Sequence, residues 1–308
     1  MTQVIVDCDP GHDDAIALLL ALASPELRLL GVTTVSGNQT LEKTTANAIR
    51  ILDHIGRSDV SVAAGAEAPL VRTLRVAANV HGETGLDGPV LPPPGRPPAA
   101  QHAIDWIAGT VTASPEPVTL LATGPLTNVA LLLARYPDIG SRLERIVLMG
   151  GAIASGNVTP AAEFNIWVDP EAAHRVFTSG IDLTMVGLDV THQALMTPEH
   201  VGRLRSAGRA GELVADLYDF YVRYHQRDYG FDAAPVHDAV AAAYLIDATL
   251  LETKHCGVRI DLGSELSRGR THVDVRLSMG WEPNCHVAVA IDSERFFDAL
   301  IARISTLG

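Results

Sequence analysis

The chain has 308 residues, 47% apolar and 19% charged, which is ample material for a large core and compatible with one large or two small domains. A formal charge of −13 argues against nucleic-acid backbones and anionic membranes as partners. Three cysteines, Cys8, Cys256 and Cys285, set up no disulfide framework and fit a reducing compartment.

The opening "MTQVIVDCDPG" has no basic segment followed by an apolar run and a small-residue cleavage site. No apolar run reaches the roughly 18 residues of a spanning helix. The expectation is a cytoplasmic protein with no membrane partner.

Residues 4–23, "VIVDCDPGHDDAIALLLALA", pass from an apolar strand into an apolar helix. Between them Asp7, Asp9, Asp13 and Asp14 crowd into eight positions. Asp13 and Asp14 alone would suit a helix N-terminus, where free N–H groups and the macrodipole favour negative charge. That does not account for Asp7 and Asp9 beside them, whereas a hard divalent cation with oxygen ligands does.

Further strands are predicted at "LRLLGVTTV", "VSVAAG", "PVTLLAT", "RIVLMG" and "LTMVGL", with helices at 14–23, 40–55, 100–113, 125–135 and 170–178. The strand runs are continuously apolar, as for strands covered on both faces, and their alternation with helices predicts an α/β fold. The sheet should be open and mainly parallel, Rossmann-like, and flanked by helices. The proline-rich stretch 87–102 reads as a surface loop within one domain. Near the end, "CGVRIDL", "THVDVRLS" and "HVAVAID" predict a small antiparallel C-terminal addition.

In open α/β sheets ligands gather at the carboxyl ends of the strands. Those ends carry "DCDPGHDD", "TTVSGNQT", Thr123, Met149 and "GLD" in turn, so one site assembled from many loops is expected. "APVHDAVAAAYLID" opens a helix with His237 and Asp238, and "AEFNIWVDPEAAH" carries Glu163 and Asn165. Glu and Asn together can accept from and donate to sugar hydroxyls, although each segment alone would also pass for a helix cap. "NVHGETGLDG" is a Gly-rich turn bearing His81, with no phosphate-binding glycine pattern at a strand–helix junction.

"DCDPGHDDAIALLLA", "VSGNQT", "NVHGETG", "ATGPLTNVALLL", "VLMGGA", "AEFNIWVDPEAA", "MVGLDVTH" and "PVHDAVAAAY" occur in the order found in nucleoside hydrolases. The chain resembles the inosine–uridine-preferring and pyrimidine-preferring ribonucleoside hydrolases over essentially its whole length. The resemblance implies a single domain over 1–308 and a Ca²⁺ ion held by Asp9, Asp14, Asp238 and the Thr123 carbonyl. It further places Asp13 and Asn38 near the ribose hydroxyls, and Asn157, Glu163 and Asn165 along the sugar's other edge with Met149 packed nearby. His81 and His237 would flank the base. Family members form homotetramers or dimers, so a homo-oligomer acting on a small ribonucleoside is expected.

Cleaving an N-glycosidic bond requires an activated water, a constrained ribose and a stabilised leaving base. Asp9 is the expected general base and His237 the expected leaving-group acid, with Tyr229 able to approach the base from the same loop. "NVHGETGLDG" and "GNVTPAAEFNIWVDPEAA" resemble the pyrimidine-preferring members and so lean towards uridine and cytidine; a broader enzyme that also takes inosine is the runner-up. Two rivals differ in class: a Mg²⁺-dependent phosphatase using Asp7 and Asp9, and a nucleoside-binding protein without catalysis.

Overall fold

Strand β1 (Thr2–Cys8) leads into α1 (His12–Leu22), β2 (Leu27–Thr34) into α2 (Leu41–His54), and β3 (Val62–Ala64) into α3 (Ala78–His81) and α4 (Ala103–Ala113). The alternation continues through β4 (Val118–Ala122), α5 (Thr127–Arg135), β5 (Leu143–Met149), α6 (Phe164–Val168), α7 (Pro170–Phe177), β6 (Leu183–Val186) and α8 (Leu188–Thr191). The C-terminal part holds β7 (Leu195–Met196), α9 (Pro198–Arg205), α10 (Gly208–Tyr229), β8 (Ala234–Pro235) and α11 (His237–Ile246). It ends with β9 (Leu251–Cys256), β10 (Val258–Ile260), β11 (Thr271–Val273), β12 (Cys285–Ile291) and α12 (Ser293–Ile304). This computed structural model describes residues 1–230 and 232–307; Phe231, Gly308 and the side chain of Tyr229 lie outside the described residues.

Eight strands form one sheet in the order β3-β2-β1-β4-β5-β6-β12-β9, parallel throughout except for β9, which runs antiparallel to β12. Side chains alternate across it. Val4 and Val6 join Ile16, Leu19 and Ile49 in one core, while Ile5, Leu120 and Ile146 join Ile107, Val129 and Phe177 in the other. Burial of each such side chain contributes about 1.5–3 kcal/mol, and it explains why the strands read as unbroken apolar runs.

From β1 the chain builds outward to β2 and β3, then returns to β4 on the other side of β1. The strand order reverses between β1 and β4, where an open sheet leaves a crevice at its carboxyl edge. Asp9 follows β1 and Thr123 follows β4, so the fold delivers them to the two sides of that crevice.

The small antiparallel C-terminal addition is present as β10 and β11, which pair apart from the main sheet, but the third strand expected in it is placed elsewhere. "HVAVAID" lies in the main sheet as β12, parallel to β6, with Val287 and Ala288 buried. A short apolar strand says little about which distant partner will cover it, and here the free edge of β6 does so.

Candidate active site

The acidic turn is built around Asp14. Its Oδ2 accepts from Gly11 N at 3.0 Å and from Asn38 Nδ2 at 3.0 Å, and its Oδ1 accepts from Thr123 Oγ1 at 2.8 Å and Asp9 N at 3.3 Å. The helix-start reading therefore holds for Asp14, which caps α1 as well as facing its neighbours. Asp9 Oδ2 accepts from Asn38 N at 2.6 Å, whereas the buried Asp9 Oδ1 has no hydrogen-bond partner. Two glycines make room for that carboxylate: a Cβ at Gly37 would lie 2.1 Å from Oδ2, and one at Gly124 would lie 2.6 Å from Oδ1.

Helix α11 brings Asp238 to the same place. One oxygen each of Asp13, Asp14 and Asp238 lie within 4.8 Å of one another, all buried. Asp9 is outside that triplet, and neither Asp9 nor Asp14 lines the cavity beside it. Asp7 braces the floor, accepting from Thr33 Oγ1 at 2.6 Å and Asn128 Nδ2 at 2.8 Å.

Burial is the main force on these groups. It drives Asp9 and Asp238 well above the usual carboxylate range, with neighbouring carboxylates adding to the effect, and lifts Asp13 to about 8 and Asp7 to about 6. No arginine or lysine is paired with Asp9, Asp13, Asp14 or Asp238 among the described residues. An all-oxygen donor set with an unpartnered buried carboxylate oxygen fits a hard divalent cation.

The other wall is tied to this floor through Asn165. Its Nδ2 donates to the Thr123 carbonyl at 2.7 Å and the Met149 carbonyl at 3.1 Å, linking the ends of β4 and β5. Glu163 starts α6: its Oε1 accepts from Asn165 N at 2.9 Å, and its Oε2 from Gly151 N at 2.9 Å and Ile166 N at 3.2 Å. Burial raises Glu163 to about 7, against the lowering effect of those N–H groups. Asn157 Oδ1 accepts from Phe164 N at 2.9 Å.

A cavity of about 310 Å³ opens above, lined by Asp13, Asn38, His81, Thr123, Met149, Asn157, Glu163, Asn165, His237 and Asp238. Its remaining wall includes Arg75, Val76, His192, Tyr221, Tyr224 and His225. His237 Nδ1 lies 2.7 Å from Thr191 Oγ1. Burial, reinforced by nearby histidines, holds His237 and His81 well below the usual imidazole range, so both rings are neutral at physiological pH. His237 can thus offer a neutral N–H, not an imidazolium.

A family model for inosine-uridine preferring nucleoside hydrolases matches residues 4–298. The chain belongs to this family. The hydrolase is 53% identical over 300 residues to the pyrimidine-specific ribonucleoside hydrolase RihA of Shewanella sp. (strain ANA-3), covering 97% of this chain and 94% of the relative. It is 49% identical to the RihA of Salmonella arizonae over 99% of both chains. Among solved structures, the purine-preferring ribonucleoside hydrolase from Gardnerella vaginalis superimposes with a TM-score of 0.93 at 35% identity over 99% of both chains. The inosine-uridine preferring nucleoside hydrolase from Bacillus anthracis gives 0.82 at 25% identity, over 99% of this chain and all of that one.

The hydrolase gathers the sequence-predicted positions at one rim, apart from Tyr229, whose side chain lies outside the described residues. Sequence reasoning named none of His12, Thr191, His192, Tyr221 and His225 individually, although all five lie in segments it quoted or, for residues 220–230, expected to form a helix that shapes base selectivity. Tyr221 and His225 had a usable signal, because residues four apart on a helix share a face. His12 had none: its partners lie 69 and 75 residues away.

Proposed function

We propose that this enzyme hydrolyses the N-glycosidic bond of pyrimidine ribonucleosides, uridine and cytidine, to free base and ribose, with Ca²⁺ at the carboxylate floor. The reading rests on one juxtaposition: a buried, cation-demanding carboxylate cluster under a cavity whose other end is walled by neutral histidines and tyrosines. The preference for pyrimidines is supported by the names of the relatives at 49% and 53% identity.

On this reading Asp9, Asp14, Asp238 and the Thr123 carbonyl hold the ion. Ca²⁺ supplies charge balance for the carboxylates and Lewis-acid polarisation of the attacking water. Asp13 and Asn38, which both line the cavity, face the vicinal ribose hydroxyls. Glu163, Asn165 and Asn157 hold the sugar's other edge, with Met149 against the ring.

Asp9 takes a proton from water through Oδ1, the oxygen that has no partner of its own. The water oxygen bonds to C1′ as the C1′–N1 bond breaks, and the bond's electron pair passes to the base through an oxocarbenium-like transition state. His81 and His237 flank the departing base, and a neutral His237 N–H, oriented by Thr191, stabilises its developing charge. Self-association to a tetramer or dimer belongs to the same reading.

The test is ribose release by Ca²⁺-loaded enzyme from uridine, cytidine, inosine and adenosine. Fast release from the first two and little from the purines is expected. Comparable rates with uridine and inosine would replace the pyrimidine preference with broad specificity, and no release from any nucleoside would overturn the proposal. Deoxyuridine should be much the poorer substrate, because it leaves polar groups of the floor unpaired.

A further inference from the structure

His12 stands inside the acidic turn, yet its ring engages residues 81–87 instead of the carboxylates. Two of its groups meet the same atom, His81 Nδ1. The backbone N–H of His12 lies 3.2 Å away and can only donate, and the ring Nδ1 of His12 lies 3.1 Å away. On the far side of the ring, His12 Nε2 lies 2.8 Å from the Asp87 carbonyl. A carbonyl only accepts, so a neutral His12 carries its proton on Nε2 and leaves a lone pair on Nδ1.

His81 Nδ1 is thus offered one donor and one acceptor, and each tautomer of His81 finds a partner. When Nδ1 accepts from the backbone, the proton sits on Nε2, which becomes a donor. When Nδ1–H donates to the His12 ring, Nε2 becomes an acceptor. His81 lines the cavity, and its Nε2 makes no hydrogen bond among the described residues.

We propose that His12 is a positioning residue that makes His81 an ambivalent reader of the pyrimidine base, donating to one substrate and accepting from the other. This rests on the reading of the enzyme as a uridine and cytidine hydrolase. Uracil and cytosine differ by an exchange of this kind. Uracil presents an N–H at position 3 and a carbonyl at position 4, whereas cytosine presents a bare nitrogen and an amino group. A fixed donor or acceptor opposite either position would suit one base and leave a buried group unpaired against the other. Moving one proton within a neutral ring removes the mismatch without charging it.

The packing allows that exchange without rearrangement. The His12 ring stacks on His81 at 5.3 Å, Phe220 at 5.3 Å and Tyr221 at 5.5 Å, and His81 stacks on Tyr221 at 5.6 Å. Gly11 permits the approach, since a Cβ there would lie 2.6 Å from His81 Nδ1.

His12→Phe keeps the stacked ring and the backbone N–H but removes the ring acceptor, locking His81 as an Nε2–H donor. The uridine-to-cytidine ratio of kcat/KM should then shift by roughly tenfold or more, the scale of one buried unpaired group. A shift towards uridine places position 4 opposite His81, and a shift towards cytidine places position 3 there. Equal losses for both substrates would overturn the proposal. In ¹⁵N-histidine-labelled protein, unliganded wild type should show His81 ring shifts averaged between two tautomers, and His12→Phe should show the Nε2–H form alone. Identical His81 shifts in the two proteins would also overturn it. His12→Leu replaces the variant if His12→Phe does not fold. If wild type releases ribose from neither pyrimidine nucleoside, the substrate reading fails by itself, and the nitrogen shifts still decide the tautomer pair.

Discussion

The floor and the base end of the cavity are buried alike but respond in opposite directions. Desolvation penalises whichever form is charged. At the floor it pushes Asp9, Asp13 and Asp238 up, so the carboxylates can be anionic together only with a positive partner. At the base end it pushes His81 and His237 down and holds His12 at about 4, so the rings are neutral and work by shape and hydrogen-bond direction. On the proposed reading, binding strength and bond cleavage are concentrated at one end, and discrimination at the other.

The comparison breaks most sharply at Asp9. Asp9→Asn should lower kcat on uridine by about 10²–10⁴-fold, the range for a positioned general base. Ca²⁺ titration calorimetry on the same variant separates the loss of a base from the loss of a ligand. A variant with near-wild-type kcat would remove Asp9 from the chemistry.

The next effect is on stability. Glu163 rises from 4.5 to about 7 through burial, so between those values the folded protein holds a proton that the unfolded chain releases. Its contribution is greatest below pH 4.5 and is lost as pH rises to about 7, a change of about 3 kcal/mol. In chelator-treated protein, the stability advantage of wild type over Glu163→Gln should shrink from pH 5 to pH 7 in urea unfolding. A constant difference would contradict the assigned burial effect.

A smaller disturbance should follow from Gly37→Ala, whose Cβ would press on the Asp9 carboxylate from 2.1 Å. We expect a loss of kcat of about tenfold to a hundredfold from the displaced base, with uridine and cytidine affected equally. At the opposite end, Thr191→Val removes the hydroxyl 2.7 Å from His237 Nδ1 while keeping the shape. It should reduce kcat by about tenfold, the worth of one hydrogen bond, and leave Ca²⁺ affinity unchanged. A fall in Ca²⁺ affinity would show that the two ends are not separable. Far from both, Glu26→Gln breaks the exposed pair with Arg303 and should change stability by no more than about 0.5 kcal/mol in the same urea assay.

Much of the floor was legible because its residues sit at strand ends and helix starts, where local rules apply. Asp9 and Thr123 follow apolar strands, Asp13 and Asp14 open α1, and Asp238 opens α11. The base end was less legible. His81 and His237 lay within recognisable motifs, but His12, Thr191 and Tyr221 matter only through partners on other elements. The same limit applied to β12, whose apolar run was plain while its place between β6 and β9 was not.

By itself, then, the sequence determined the alternation of covered strands and helices, the acidic turn and its demand for a cation, and the family to which the motifs belong. These depend on residues close together in the chain, where periodicity, capping and charge density act. Tertiary structure alone decided which carboxylate oxygens converge, that Asp9 Oδ1 is left unpartnered, and that two groups of His12 meet one ring nitrogen of His81. Those outcomes depend on distances set by the packing of α1, α11 and the 81–87 loop around one sheet edge, and no local pattern encodes them.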